Sequence, residues 1–193
     1  MRFKSCIVLL ILAGFMSCGP RAAGPQPSEF GSTFFWRVLE KGAINFNDQC
    51  SDLPEIRDVE EASLAENAYL IYRIADEGGQ AQSQDCDRID TSTCTPGDIE
   101  FSLEQSTLTG TLQLDSDDLG GGCALIRDLT IVLEDEGETL NANFDIAFRF
   151  EGPSDSCDLF ENDIRSRSNN DRGLVGCVVT TTYDAIFTRA LSD

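Results

Sequence analysis

From Thr139 to Glu151 the chain reads TLNANFDIAFRFE, with an apolar residue at nearly every second position. Leu140, Ala142, Phe144, Ile146, Phe148 and Phe150 alternate with Asn141, Asn143, Asp145 and Arg149, and only Ala147 breaks the polar set. Successive side chains of a strand point to opposite faces, so the pattern predicts a long strand with one face in a core. Before it, Leu129, Ile131 and Leu133 alternate with Thr130 and Val132, and the intervening EDEGE places Gly137 where a hairpin turn needs it. Ile99, Phe101 and Leu103 form the inward set of a further strand, as do Leu108, Gly110, Leu112 and Leu114 of another. The stretches 32–39 (STFFWRVL), 68–74 (AYLIYRI) and 176–189 (GCVVTTTYDAIFTR) also read as strands. Helix signals are fewer: one over 52–66, with Leu53, Ile56 and Val59 three apart and Pro54 in its first turn, and one over 157–166. Seven or eight strands at hairpin spacing predict an all-β fold, an antiparallel barrel or sandwich with one or two short helices in long loops.

The first residues follow another rule. Arg2 and Lys4 precede an uncharged apolar run, IVLLILAGF, that is shorter than the roughly 20 residues a membrane-spanning helix needs. Its length and flanks are those of a secretory leader. Cleavage by an ordinary signal peptidase fails on sterics, because Pro20 or Pro25 would stand just after the cut, or Arg21 three residues before it. The tetrad FMSC instead resembles the lipobox of bacterial lipoproteins, which implies that Cys18 is acylated and becomes the first mature residue. Ser17 fits that motif, while Met16 and Phe15 depart from its usual small residue and leucine. The following PRAAGPQPSEFGS has the composition of a semi-extended spacer. The expected organisation is a leader over 1–17, a lipid-anchored spacer over 18–31 and a single domain over 32–193. Gly19 is not the aspartate that retains some lipoproteins at the inner membrane, so the outer membrane is the expected location, with the membrane a partner through the lipid.

Fourteen basic and 34 acidic residues set a formal charge of −20, and losing Arg2 and Lys4 with the leader deepens it to −22, 12 basic against 34 acidic. Such a surface repels nucleic acid and anionic head groups. Six cysteines remain once the leader and Cys18 are set aside, and an even number in an exported chain argues for disulfides. Six allow fifteen pairings; the preferred set is Cys86–Cys94 and Cys157–Cys177 as local loops, with Cys50–Cys123 tying an early segment to the middle. No CxxC pair and no histidine are present, which removes the usual zinc spacing.

The lack of histidine also removes Ser-His-Asp and Cys-His catalysis, and no phosphate-binding glycine loop occurs. No enzyme activity is therefore expected; a carboxylate-based glycoside hydrolase would need two acids about 5–10 Å apart in a cleft. In LDSDDLGGG, Asp115, Asp117 and Gly120 match three positions of an EF-hand-like calcium loop, whereas Leu119 and Ile126 occupy ligand positions. Asp115, Asp117 and Asp118 are accordingly the calcium candidates, with a polar turn between strands as the favoured reading. Trp36, Tyr72, Phe144 and Phe148 fall on strands, as core filling or as the lining of a small apolar ligand's pocket. Trp36 on an early strand and Arg189 on the last resemble the Trp–Arg contact that closes one end of lipocalin barrels, although Gly31 lies five residues before Trp36 rather than two. The resemblance implies a cation–π contact between them.

The lipobox together with CALIRDLTIVLEDEGETL, the cysteine after FRFEG, and GCVVTTTYDA is similar to uncharacterised, cysteine-containing lipoproteins of the myxobacterial type. That similarity implies an envelope location and a β fold, with no activity. The function expected is a binding or structural role at the cell envelope. The rivals are lipocalin-like carriage of a small apolar ligand and calcium-assisted adhesion to a protein partner.

Overall fold

The computed structural model describes residues 31–53, 64, 67–75, 80–86 and 94–192. In chain order the elements are β1 (Ser32–Lys41), β2 (Asn45–Phe46), β3 (Tyr69–Ile74), β4 (Gln80–Cys86), β5 (Cys94–Glu104), β6 (Thr107–Gly120), β7 (Cys123–Asp135), β8 (Thr139–Glu151), a helix α1 (Ser154–Arg167) and β9 (Val178–Ser192). The sheet runs β1-β3-β4-β5-β6-β7-β8-β9, and β1 also pairs with β9, so it closes into an eight-stranded antiparallel barrel. The short β2 continues the line of β1 along β9, at Asn45↔Thr180 and Phe46↔Val179.

The alternation of β8 is realised along its whole length, with Leu140, Ala142, Phe144, Ile146 and Phe148 buried and the residues between them partly exposed. From the neighbouring strands come Leu129, Ile131 and Leu133 of β7 and Val179, Tyr183 and Ala185 of β9. On the far wall Phe34, Trp36 and Val38 of β1 meet Tyr72 and Ile74 of β3. Gly110 of β6 stands where a Cβ would lie 2.7 Å from both Ile99 and Phe101, so its lack of a side chain makes room for that phenylalanine. The β6–β7 hairpin turns at Gly121 and Gly122, both at positive φ, which glycine adopts without steric cost.

Because the strands alternate in direction, the connections sort to two ends. One end carries the tight β5–β6 and β7–β8 turns, the C-terminal end of β3 and the start of β4, the entry of β1 and the exit of β9; there the Gly31 N–H donates to the Ile74 carbonyl at 2.9 Å. The opposite end carries the chain between β1 and β3, the β4–β5 connection, the glycine hairpin and α1. The helix predicted over 157–166 is α1, one turn longer at its start, and it turns Cys157 and Glu161, a turn apart, inward. The helix predicted over 52–66 falls outside the described residues except for Asp52, Leu53 and Leu64.

Candidate functional site

All three disulfides sit at the loop end. Cys50 joins Cys177, Cys86 joins Cys94, and Cys123 joins Cys157. Two of the pairs differ from the sequence preference for Cys50–Cys123 and Cys157–Cys177. Cys157 begins the second turn of a helix laid beside the start of β7, where Cys123 stands, whereas Cys177 directly precedes β9, beside which β2 and the following loop bring Cys50. Proximity across the barrel end therefore overrides proximity along the chain.

Polar side chains knit the same end. Both oxygens of Asp52 are engaged: Oδ1 accepts from the Ser168 hydroxyl at 2.9 Å and the Asn169 N–H at 3.0 Å, and Oδ2 accepts from Asn169 Nδ2 at 3.0 Å. Donation by the Asn169 and Ser168 side chains holds its carboxyl below the ordinary aspartate range. Asn170 Nδ2 donates to the Cys50 carbonyl at 3.0 Å. Under α1, the buried Glu161 accepts the Leu174 N–H at 2.9 Å and Arg165 Nε at 3.1 Å, so its charge is both paired and hydrogen-bonded.

Of the calcium candidates, Asp117 and Asp118 are each engaged with a protein partner. Residues 115–118 lie within β6, with a bulge between Gln113 and Ser116, instead of in a loop. Asp117 pairs with Arg127 at 2.7 Å, and Asp118 accepts the Gly120 N–H at 2.8 Å. Among the described residues no group of three acidic or cysteine side chains is placed to hold a metal.

The aromatic candidates are core. Trp36, Tyr72, Phe144 and Phe148 are all buried on inward positions. Phe34 stacks on Tyr72 at 5.4 Å, Phe144 tilts against Tyr183 at 4.9 Å, and Trp36 meets Phe187 edge-on at 5.3 Å. Two grooves are present, of about 830 Å³ beside Gln82, Gln84, Ser102 and Thr109, and about 510 Å³ beside Glu134, Asn141, Asn143 and Asp184. These side chains are on the outward positions of their strands, so both grooves lie on the outer wall.

The expected Trp36–Arg189 contact is replaced by another. A bulge in β9 pairs Phe35 with Arg189 and Trp36 with Phe187. Trp36 thus faces the interior, while Arg189 lies outside with its guanidinium carbon 4.9 Å above the Phe35 ring. Trp36 Nε1 and Arg189 Nε and Nη2 are the buried side-chain polar atoms without a hydrogen-bond partner among the described residues, and all are donors on the β1–β9 seam.

That seam holds what the sequence reading missed. Outward positions of β1 and β3 align Thr33 with Arg73, Phe35 with Ile71 and Arg37 with Tyr69, and β9 adds Arg189 beside Phe35 and Ile186 beside Arg37. No carboxylate occupies any of these positions. The period-two rule applied to STFFWRVL would have found them, since it sends Phe35 and Arg37 to the face opposite Phe34, Trp36 and Val38. Arg149 pairs with Asp128 at 2.6 Å and Glu151 at 3.0 Å, which raises its already high pKa, and Arg165 and Arg167 pair within α1.

Comparison with protein-family models, with curated proteins and with solved structures finds no match to this chain.

Proposed function

We propose that this chain is a lipid-anchored protein of the bacterial cell envelope, tethered through Cys18, that acts by binding a partner at the stapled end of its barrel. One observation carries the reading. The chain leading from Cys18 enters the barrel at Gly31, at the turn end, and the disulfides close the other end. A tether at one pole and a cross-linked rim at the other suits a molecule that holds a rigid surface out from a membrane. That rim exposes Asp48, Asp118, Asp155 and Asp158 together with Leu159, 71% exposed, and Val175, 54% exposed. Acidic and apolar groups interspersed in this way favour a protein partner with a basic, partly apolar surface. The absence of histidine and the pairing of the candidate acids leave binding as the favoured mode of action. Outer-membrane placement follows from Gly19, as set out above.

The test is the intact mass of the exported, mature protein. The expected species begins at Cys18 and carries a diacylglyceryl thioether, and inhibition of lipoprotein signal peptidase accumulates the uncut precursor. A mature terminus elsewhere, or an unacylated Cys18, sinks the anchor reading.

A further inference from the structure

We propose that the Cys86–Cys94 bridge is a site of thiol–disulfide exchange on the folded barrel, opened by a protein dithiol while the other two bridges stay closed. The proposal goes beyond the envelope reading and stands whether or not Cys18 carries lipid.

The bridges differ in what surrounds them. Cys50, Cys177, Cys123 and Cys157 are all buried, whereas Cys86 and Cys94 are both partly exposed. Exchange needs a thiolate to reach one sulfur of the bridge, so burial shields the first four cysteines and exposure admits attack on the last two. Cys86 ends β4 and Cys94 begins β5, directly opposite each other in the ladder. Few strand pairs hold that corner among the described residues. The ladder is irregular between Gln82 and Gln84, where side chains complete it: the Ile99 N–H donates to Ser83 Oγ at 3.0 Å, and Gln82 Nε2 donates to the Gly97 carbonyl at 3.2 Å. Past that point stand only Gln84↔Pro96, Asp85↔Thr95 and Cys86↔Cys94, and Pro96 has no N–H to give. Once cut, these two thiols are free to separate, while buried thiols held in place by packing close again. Cutting this bridge also costs the fold least, because it joins residues 8 apart, against 34 and 127 for the others.

The step is a two-electron exchange. A thiolate of the dithiol attacks one sulfur of the bridge; the S–S bond breaks as a mixed disulfide forms, and the other cysteine leaves as a thiolate that takes a proton. The second thiol of the reductant then attacks its own partner sulfur in the mixed disulfide and releases the remaining cysteine. The bridge gains the two electrons and two protons that the dithiol loses, and the dithiol departs as a disulfide. A monothiol is disfavoured, because the freed cysteine lies across a loop of 8 residues at high effective concentration and expels it. A dithiol completes the second displacement within one complex, and the reverse exchange with a protein disulfide recloses the bridge. The consequence is local. Gln84, Cys94 and Pro96 line one side of the outer-wall groove of about 830 Å³, so opening the bridge loosens that side and leaves the wall of β7 and β8 as it was.

The experiment treats the mature, oxidised protein with dithiothreitol or with 2-mercaptoethanol at equal thiol concentration, traps free thiols with N-ethylmaleimide and maps them by peptide mass. Dithiothreitol should open Cys86–Cys94 at least about tenfold faster than either buried bridge, which reacts only through opening of the fold, and the product should still melt cooperatively. 2-Mercaptoethanol should leave several-fold more of the bridge closed. Thioredoxin with its second active-site cysteine replaced by serine should be trapped as a mixed disulfide on Cys86 or Cys94 alone. Amide exchange at Asp85 and Thr95 should rise about tenfold on reduction while β8 is unchanged. The Cys86→Ser/Cys94→Ser variant should show that exchange pattern without reductant and form no adduct, and its melting temperature reports that the fold is kept. Equal opening of the three bridges, a buried bridge opening first, an adduct formed only in urea, or amide exchange unmoved by reduction would each overturn the proposal. So would finding Cys86 and Cys94 unbridged in the oxidised protein. An unacylated Cys18 bears on the anchor reading alone.

Discussion

Removing the Cys50–Cys177 bridge should cost more stability than removing either of the others. It joins residues 127 apart, against 34 for Cys123–Cys157 and 8 for Cys86–Cys94. The chain-entropy relation gives about 4.9, 3.8 and 2.5 kcal/mol for loops of those lengths at 25 °C. The two shorter bridges lie inside the long loop and shorten its unfolded path to roughly 90 residues, which lowers its figure to about 4.6 kcal/mol and leaves the order unchanged. At about 2–4 °C per kcal/mol for a domain of this size, the Cys50→Ala/Cys177→Ala variant should melt about 10–18 °C below the parent. Paired alanines avoid burying an unpaired thiol at positions 5% and 0% exposed. Circular dichroism melts of protein exported to an oxidising compartment measure the loss, and alkylation under denaturing conditions counts thiols. That variant should show no new thiol, whereas Cys50→Ala/Cys123→Ala should release Cys157 and Cys177. A larger loss from the Cys86–Cys94 pair, or a drop under about 5 °C for Cys50–Cys177, would refute the entropic ranking.

Further tests bear on the cap and the wall of the barrel. A Cβ at Gly173 would lie 1.8 Å from Glu161 Oε1, so Gly173→Ala should displace that carboxylate and cost about 1–3 kcal/mol by leaving the Leu174 N–H unmet. Glu161→Ala should cost a similar amount, and the double variant little more than Glu161→Ala alone; additive losses in urea titrations would show that the two do not act through one contact. Gly110→Ala should cost about 1–3 kcal/mol by crowding Ile99 and Phe101, and Phe101→Leu should recover part of it in the same assay. Asp52 has a folded pKa below its unfolded one, so its contribution is complete above the ordinary aspartate pKa and is lost as pH falls through the lowered value. Asp52→Asn should therefore lower the melting temperature near neutrality and flatten its acid limb, and an unchanged limb would count against the assigned hydrogen bonds.

What the sequence made legible follows from where the apolar residues had to go. A strand such as β8, apolar on one face only, reads directly, and the closed all-β architecture follows from several of these at hairpin spacing. β4 does not read, because its inner positions are Ala81 and Ser83, set against the large Phe101 and Tyr72. A wall that takes its bulk from its neighbours has no alternation of its own to display. The disulfide partners were hidden for a related reason, since they depend on which loops meet at one end, and only the placement of α1 brings Cys157 to Cys123. The contact of Arg189 turned on a single extra residue in β9, which moves it from register with the inward Phe34 to register with Phe35 and so to the other side of the sheet.

The same bulge decides on which side of the sheet the chain's last arginine lies. Period two alone would place a residue inside at every second position of β9, and it holds from Val179 through Tyr183 to Ala185. Inserting one residue after Phe187 reverses the phase for the end of the strand, so the last arginine of the chain is delivered outward, next to Arg37 and Arg73, instead of into the core. A guanidinium inside the barrel would need a buried carboxylate to be tolerated, and among the described residues no strand carries a buried one. Outside, it is held over the Phe35 ring. Deleting Thr188 would place Arg189 directly after the inward Phe187 and still opposite Phe35, so the guanidinium should stay on the Phe35 side of a now regular ladder and the melting temperature should change little; a loss of several kcal/mol would show that the bulge itself is needed.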